Sequence, residues 1–237
     1  MLQRAMNAVQ RQPLDASNPV RFSVIRVPFF LEPDYPREEN WSETNRVRLE
    51  RKWGGKREFE EQKKRHRLKE RGLDAGIKHF NLDRLASNTM QSHRLVQWVT
   101  KNYGCTVSET LYNDLNKRHF ELGQKLNDRK MLVAAAVAAG ADGRKAEEFL
   151  ASGEGEMEIE GALHVLRRMG INSIPNFIIG ATDVHSGAVH SSELVQAFRK
   201  IEKTGRGAPE SAFAEILGIP KQILQQPLDA SYAEASG

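Results

Sequence analysis

Apolar residues at Leu2, Met6 and Val9 follow a helical period that Pro13 ends, predicting a short first helix. A turn over Asp15 to Pro19 follows. Val20 to Phe30, rich in aromatic and β-branched residues, then predicts a buried strand, stopped by Pro28, Pro33 and Pro36. From Glu43 to about Gly170 the pattern is almost wholly helical. Within it, Asn88 is the expected cap of a helix running to Tyr103, with Ser92, Leu95, Val96 and Val99 on one face. Thr106 and Glu109 form a capping-box pair ahead of Leu111, Leu115, Leu122 and Leu126. Asp128 caps an alanine-rich helix that Gly140 ends, and Asp142 caps the next. Ile159, Leu163 and Leu166 lead to Gly170 in the position after the C-cap, with Ile171 placed for an apolar contact beyond it.

After Ile171 the period shortens. Asn176 to Ile179 predicts a strand, Gly180 to Thr182 a turn and Asp183 to Val189 a second strand. Ser191 or Ser192 is then expected to cap a helix carrying Leu194, Val195, Phe198 and Ile201 on its inner face, ended by Gly205. The order is helix, strand, a large helical block, strand, strand, helix. It divides the chain into residues 1–42 and 171–204, two parts of one α/β domain, a helical insertion at 43–170, and an appendage at 205–237. In the appendage Phe213, Ile216 and Leu217 make a short amphipathic turn, read as a docking helix, and the last seven residues are expected to be disordered.

Composition removes several functions. The single cysteine, Cys105, excludes an internal disulfide and any multi-cysteine zinc site, and reads as a buried packing residue. The seven histidines show no carboxylate–histidine spacing of a zinc protease, so no metal and no cofactor are expected. The net charge of +4 is uneven: residues 46–71 hold twelve Lys/Arg against five Asp/Glu. Trp53, Phe59 and Leu68 recur among those charges, with Glu60–Lys64 and Glu61–Arg65 at helical spacing. The block therefore reads as a solvated helix face, and nucleic acid is not an expected partner. The longest near-apolar run, Met131 to Ala141, is too short to span a bilayer, and no membrane partner is expected. The N-terminus has no unbroken apolar core of a secretory signal, so the expected location is cytoplasmic, with an organellar transit peptide left open.

The segment Gly170-Ile171-Asn172-Ser173-Ile174-Pro175-Asn176-Phe177-Ile178-Ile179 resembles the cis-proline strand of thioredoxin-fold disulfide oxidoreductases. Arg26 to Pro33 resembles the second strand and proline-rich turn of the DsbA-like, FrnE-type family. Asn88-Thr89 with His93-Arg94-Leu95 is similar to that family's helical-insert signature. Ser186-Gly187-Ala188, then Glu193-Leu194, resembles its last strand and final helix. The likeness covers about residues 1 to 203.

That resemblance implies an α/β, thioredoxin-like fold with a large all-helical insertion, and thiol–disulfide exchange on protein or peptide thiol substrates. It places Ile174 and Pro175 in the substrate-facing turn, where backbone groups can pair with an extended peptide. The same comparison implies that the family's first strand and Cys-x-x-Cys precede the region seen here. A chain with one sulfur has no internal dithiol to cycle, so no catalytic residue is assigned and the sequence as given is expected to be inactive. The expectation is a truncated form of an active enzyme, because Met1 falls mid-helix. The alternatives are a non-catalytic thioredoxin-like binding module and a relative of kappa-type glutathione transferases or 2-hydroxychromene-2-carboxylate isomerases. A homo-oligomer is left open.

Overall fold

The computed structural model describes residues 1–74, 76–180, 183–205, 207 and 211–228. The chain forms two compact units: residues 1–31, 97–108 and 155–237 make one, and residues 32–96 and 109–154 make the other. Residues 97–108 and 155–170 thus fall inside the helical stretch of the sequence yet pack in the first unit.

In the first unit, helix α1 (Leu2–Arg11) buries Ala5, Met6 and Val9, the face its periodicity marked. Its core partners are Leu194 and Phe198 of the helix Ser191–Thr204, together with Ile179, Val189, Cys105 and Leu228. Phe22 meets Phe198 edge to face, with ring centroids 4.8 Å apart. The expected strand at Val20–Phe30 is absent. No strand pairs with that segment among the described residues, and its polar groups bond elsewhere. The Phe22 carbonyl accepts from Leu228 N–H (2.7 Å), the Ser23 hydroxyl donates to the Leu224 carbonyl (2.6 Å), and the Arg26 carbonyl accepts from the Gln97 side chain (2.6 Å). Phe22 and Val24 still face the core, between exposed Arg21 and Ser23, so the alternation was real while the ladder was not.

In the second unit, β1 (Glu43–Thr44) pairs antiparallel with β2 (Leu85–Ala86), a two-residue sheet that the helical pattern did not announce. Helices α2 (Asn45–Trp53), α3 (Lys56–His66) and α4 (Leu68–Asp74) carry the basic block. Phe59 is buried and Trp53 stacks on both Phe59 and His66, which gives the block an aromatic inner face. The expected Glu60–Lys64 and Glu61–Arg65 pairs do not form; Lys63 pairs with Glu60 instead, at 3.4 Å. Tyr35 donates to Glu43, and burial together with that carboxylate pushes its phenol up to about 12.

Helix α5 (Met90–Phe120) is broken at Gly104, whose φ of 86° and ψ of 175° lie outside helical space, so two helices meet there as the sequence indicated. Its second half buries Leu111 and Leu115 but ends before Leu122, which is 61% exposed. Asp128 caps α6 (Arg129–Ala138) and Asp142 caps α7 (Gly143–Ala151), their carboxylates accepting from Met131 N–H and Lys145 N–H at 3.0 Å. We expect Asp128→Ala to cost about 1 kcal/mol in urea unfolding, since the freed amide at the helix start loses its acceptor.

Back in the first unit, α8 (Glu156–Arg168) ends in a Schellman turn. Gly170 N–H donates to the Arg167 carbonyl and Ile171 N–H to the Leu166 carbonyl, both at 3.0 Å, with Gly170 at φ 71°. Strands β3 (Asn176–Ile179) and β4 (Asp183–Ser186) pair antiparallel, with Asn176 opposite Ser186 and Ile179 opposite Asp183. The second strand is shorter than expected and stops before Gly187. The helix after it, α9 (Ser191–Thr204), is capped by His190, in place of either serine expected. The His190 ring accepts from Ser192 N–H at 3.3 Å, while Glu193 accepts from His190 N–H. The appendage forms α10 (Ala212–Ile216) and α11 (Lys221–Leu224), and buries Phe213, Leu217, Ile219 and Leu228. It packs as part of the first unit, as a docking segment should. The tail expected to be disordered lies outside the described residues.

Candidate substrate-facing turn

The turn between α8 and β3 is anchored at both ends. Ile171 is buried just past the Schellman turn, and Ile179 is buried at the far end of β3. Between them Asn172 to Pro175 are exposed, Ile174 by 49%, and the Ile174–Pro175 peptide bond is cis. The Asn176 side chain braces the loop by donating to the Ser173 carbonyl and accepting from the Ser186 hydroxyl. The Pro175 carbonyl accepts from Gly187 N–H at 2.9 Å, which extends the β3–β4 register by one pair.

These bonds settle which backbone groups are in use. Ser173 and Pro175 have committed carbonyls, and Pro175 has no N–H to offer. The Ile174 N–H and carbonyl have no hydrogen-bond partner among the described residues. The turn therefore presents open backbone groups, the N–H and carbonyl of Ile174 among them, on a rigid base, beside an exposed apolar side chain. It can recognise main chain.

Cys105 belongs to the core of the same unit. It is 2% exposed, immediately after the Gly104 break, with its sulfur 4.0 Å from the Ile223 carbonyl oxygen. A thiol that buried is a packing group, as the sequence suggested. Among the described residues no group of three or more His, Cys, Asp or Glu side chains is placed to hold a metal ion. No helix among them is long and apolar enough to cross a membrane.

The model of the DSBA-like thioredoxin domain matches residues 2–199. The chain belongs to that family. Solved structures similar to this DSBA-like domain include a probable DsbA oxidoreductase from Streptomyces coelicolor, with a TM-score of 0.66 at 19% identity, covering 86% of this chain and 84% of that one. At that identity the likeness concerns the fold alone. No curated protein matches the sequence.

Family membership gives the other quoted segments a physical setting within this DSBA-like domain. Asn88 is buried, donates to the Tyr35 carbonyl (2.7 Å) and accepts from Met90 N–H (2.9 Å), while Thr89 takes the N-cap position expected of Asn88. Arg94 is fully buried. Its guanidinium donates to the carbonyls of Phe149, Ser152 and Glu154 and to the Gln91 side chain, and lies over the Phe149 ring. Both residues do structural work inside the second unit. The sequence singled them out by resemblance, and their burial could not have been read from spacing, because Asn and Arg are ordinarily surface types.

Proposed function

We propose that this chain supplies the peptide-docking part of DsbA-type thiol–disulfide chemistry, with Ile174 and Pro175 aligning an extended, thiol-bearing segment of a protein substrate, and that these 237 residues alone do not catalyse exchange. The observation that carries the reading is the open N–H and carbonyl of Ile174, exposed at the end of a braced hairpin. An extended peptide offers a donor and an acceptor at every second residue, which is what those groups lack. The FrnE-type branch is supported by the segments at Arg26–Pro33, Asn88–Leu95 and Ser186–Ala188. The single buried thiol favours docking without turnover by these 237 residues: they hold no second cysteine, and this one has little access to solvent.

Two measurements test this. Insulin reduction by dithiothreitol should run at the buffer rate in the presence of the protein; acceleration would show a redox function that one buried sulfur does not explain. Amide hydrogen exchange at Ile174 should slow at least tenfold when a saturating single-cysteine peptide is added, and unchanged exchange there would remove the docking turn.

A further inference from the structure

A pocket of about 110 Å³ lies within the second unit, where α5, α6 and α7 meet the loop ahead of β1. Its apolar lining is Leu132 of α6 and Leu150 of α7, both buried. Gln91 of α5 and Asn127, just before α6, supply two carboxamides, and Arg37, Glu39 and Arg129 supply charge.

Both carboxamides have a fixed orientation and an unused end. The Asn127 nitrogen donates to the Glu38 and Trp41 carbonyls, both at 3.0 Å, which uses its two hydrogens. Turning the amide over would set an oxygen against two carbonyl oxygens. The Asn127 oxygen is therefore held on the other side of the amide. It has no hydrogen-bond partner among the described residues, although Asn127 is only 3% exposed. A buried acceptor left without a donor is destabilising. Gln91 is the reverse case. Its oxygen accepts from Arg94 Nη1 at 2.6 Å, so its nitrogen is the unused end, with no partner among the described residues. The Arg129 guanidinium likewise pairs with no carboxylate among them; Glu39 accepts the Arg129 backbone N–H instead, at 2.9 Å.

We infer that this pocket binds a small aliphatic α-amino acid unit with a free carboxylate. The chemistry matches at three points. The carboxylate needs donors, which the Arg129 guanidinium and the Gln91 amide provide, and a guanidinium takes it through two parallel bonds. The nitrogen on the α-carbon brings the donor that the Asn127 oxygen lacks. A short aliphatic side chain covers Leu132 and Leu150. An inorganic anion would set acceptor against acceptor at Asn127, and a hydrocarbon would leave both carboxamides unmet, so neither fits. Size sets a further limit. A cavity of about 150 Å³ admits a benzene ring, so the smaller volume here selects against aromatic side chains. The unit is either a free amino acid or the last residue of a peptide, which differ in the charge on that nitrogen. Every residue of the pocket belongs to the second unit, so it stands independently of the Ile174 turn, which lies in the first.

The test follows the side-chain amide NMR signals of Gln91 and Asn127 in the full chain during titration with L-valine to about 10 mM. Both signals should shift and saturate together. Isovalerate, which lacks the nitrogen, and valinamide, which lacks the carboxylate, should each bind roughly tenfold more weakly or not at all. Glycyl-glycyl-valine separates the sources: whichever of valine and the tripeptide binds more tightly names the natural form, and either supports the inference. Arg129→Gln, at an exposed position, should weaken binding of that ligand roughly tenfold. No shift with valine or the tripeptide overturns the inference and leaves Asn127 as a brace for the loop, with water at its oxygen. Isovalerate binding as well as valine makes the pocket a plain anion site. Valinamide binding as well as valine, or undiminished binding by Arg129→Gln, removes the carboxylate. Each of these three results overturns the ligand named here, and the analogue series decides the matter on the wild-type protein if the variant fails to fold.

Discussion

Replacing Arg94 with alanine should lower the unfolding free energy of the protein by about 3 kcal/mol or more. The fully buried guanidinium holds the chain just past α7 in place. Its Nε donates to the Glu154 carbonyl at 2.7 Å, and Nη2 donates to Ser152 and Phe149 at 2.7 and 3.2 Å. The Phe149 carbonyl keeps other donors in the Ser152 backbone and hydroxyl, but Ser152 and Glu154 lose theirs among the described residues. The Gln91 carbonyl group, which accepts from Nη1 at 2.6 Å, is left facing the resulting cavity, as is one face of the Phe149 ring. Arg94→Lys should fall between wild type and alanine, because one ammonium cannot span carbonyls that a planar fork reaches together. Urea unfolding at pH 7 measures both. A loss below about 1 kcal/mol for the alanine variant would show that solvent replaces these bonds at little cost.

The residues that made the fold legible in the sequence were those whose local chemistry has one outcome. Asp128 and Asp142 precede helices they can cap, Gly170 can adopt the left-handed turn that ends α8, and Asn176 to Ile179 is an apolar run behind a proline. These elements stand at their expected positions. What escaped depends on partners distant in the chain. Val20 to Phe30 has strand composition, yet strand is a property of pairs, and Phe22, Ser23 and Arg26 bond to the appendage and to Gln97 instead. His190 displaced two serines as the cap of α9 because a ring nitrogen can accept a backbone amide once the chain turns at Gly187. The site shows the same division. The turn at Ile174 and Pro175 was marked by resemblance, while the pairing of Pro175 with Gly187 that holds it needed the register of β3 on β4, which no periodicity in a single strand contains.

Acid should destabilise the protein through His119 well above the range in which carboxylates protonate. Its Nε2 accepts from Arg84 Nε at 3.1 Å, so the proton must lie on Nδ1, which donates to the Gln124 carbonyl at 3.0 Å. Phe80 and Phe120 flank the Arg84 guanidinium, at 5.2 and 4.9 Å from their centroids. Burial is the main reason the His119 imidazole is depressed to about 4; the Gln124 hydrogen bond opposes that shift, and the nearby Arg84 and Arg48 charges add to it. A second proton would have to enter the Nε2 lone pair that now faces a guanidinium. The unfolded chain, with an ordinary value near 6.5, takes up that proton first. Stability from neutral His119 is therefore complete above about pH 6.5 and drains away as pH falls toward 4, by up to about 3 kcal/mol across that window. His119→Gln keeps a donor and an acceptor and cannot titrate, so its unfolding free energy should be lower at pH 7 and nearly flat from pH 7 to 5, while the wild type declines. Urea titrations at pH 7, 6 and 5 on both proteins isolate the histidine from the carboxylates they share. Parallel declines in the two would mean that His119 titrates in the folded protein near its ordinary value, so that neither burial nor the Arg84 contact depresses it.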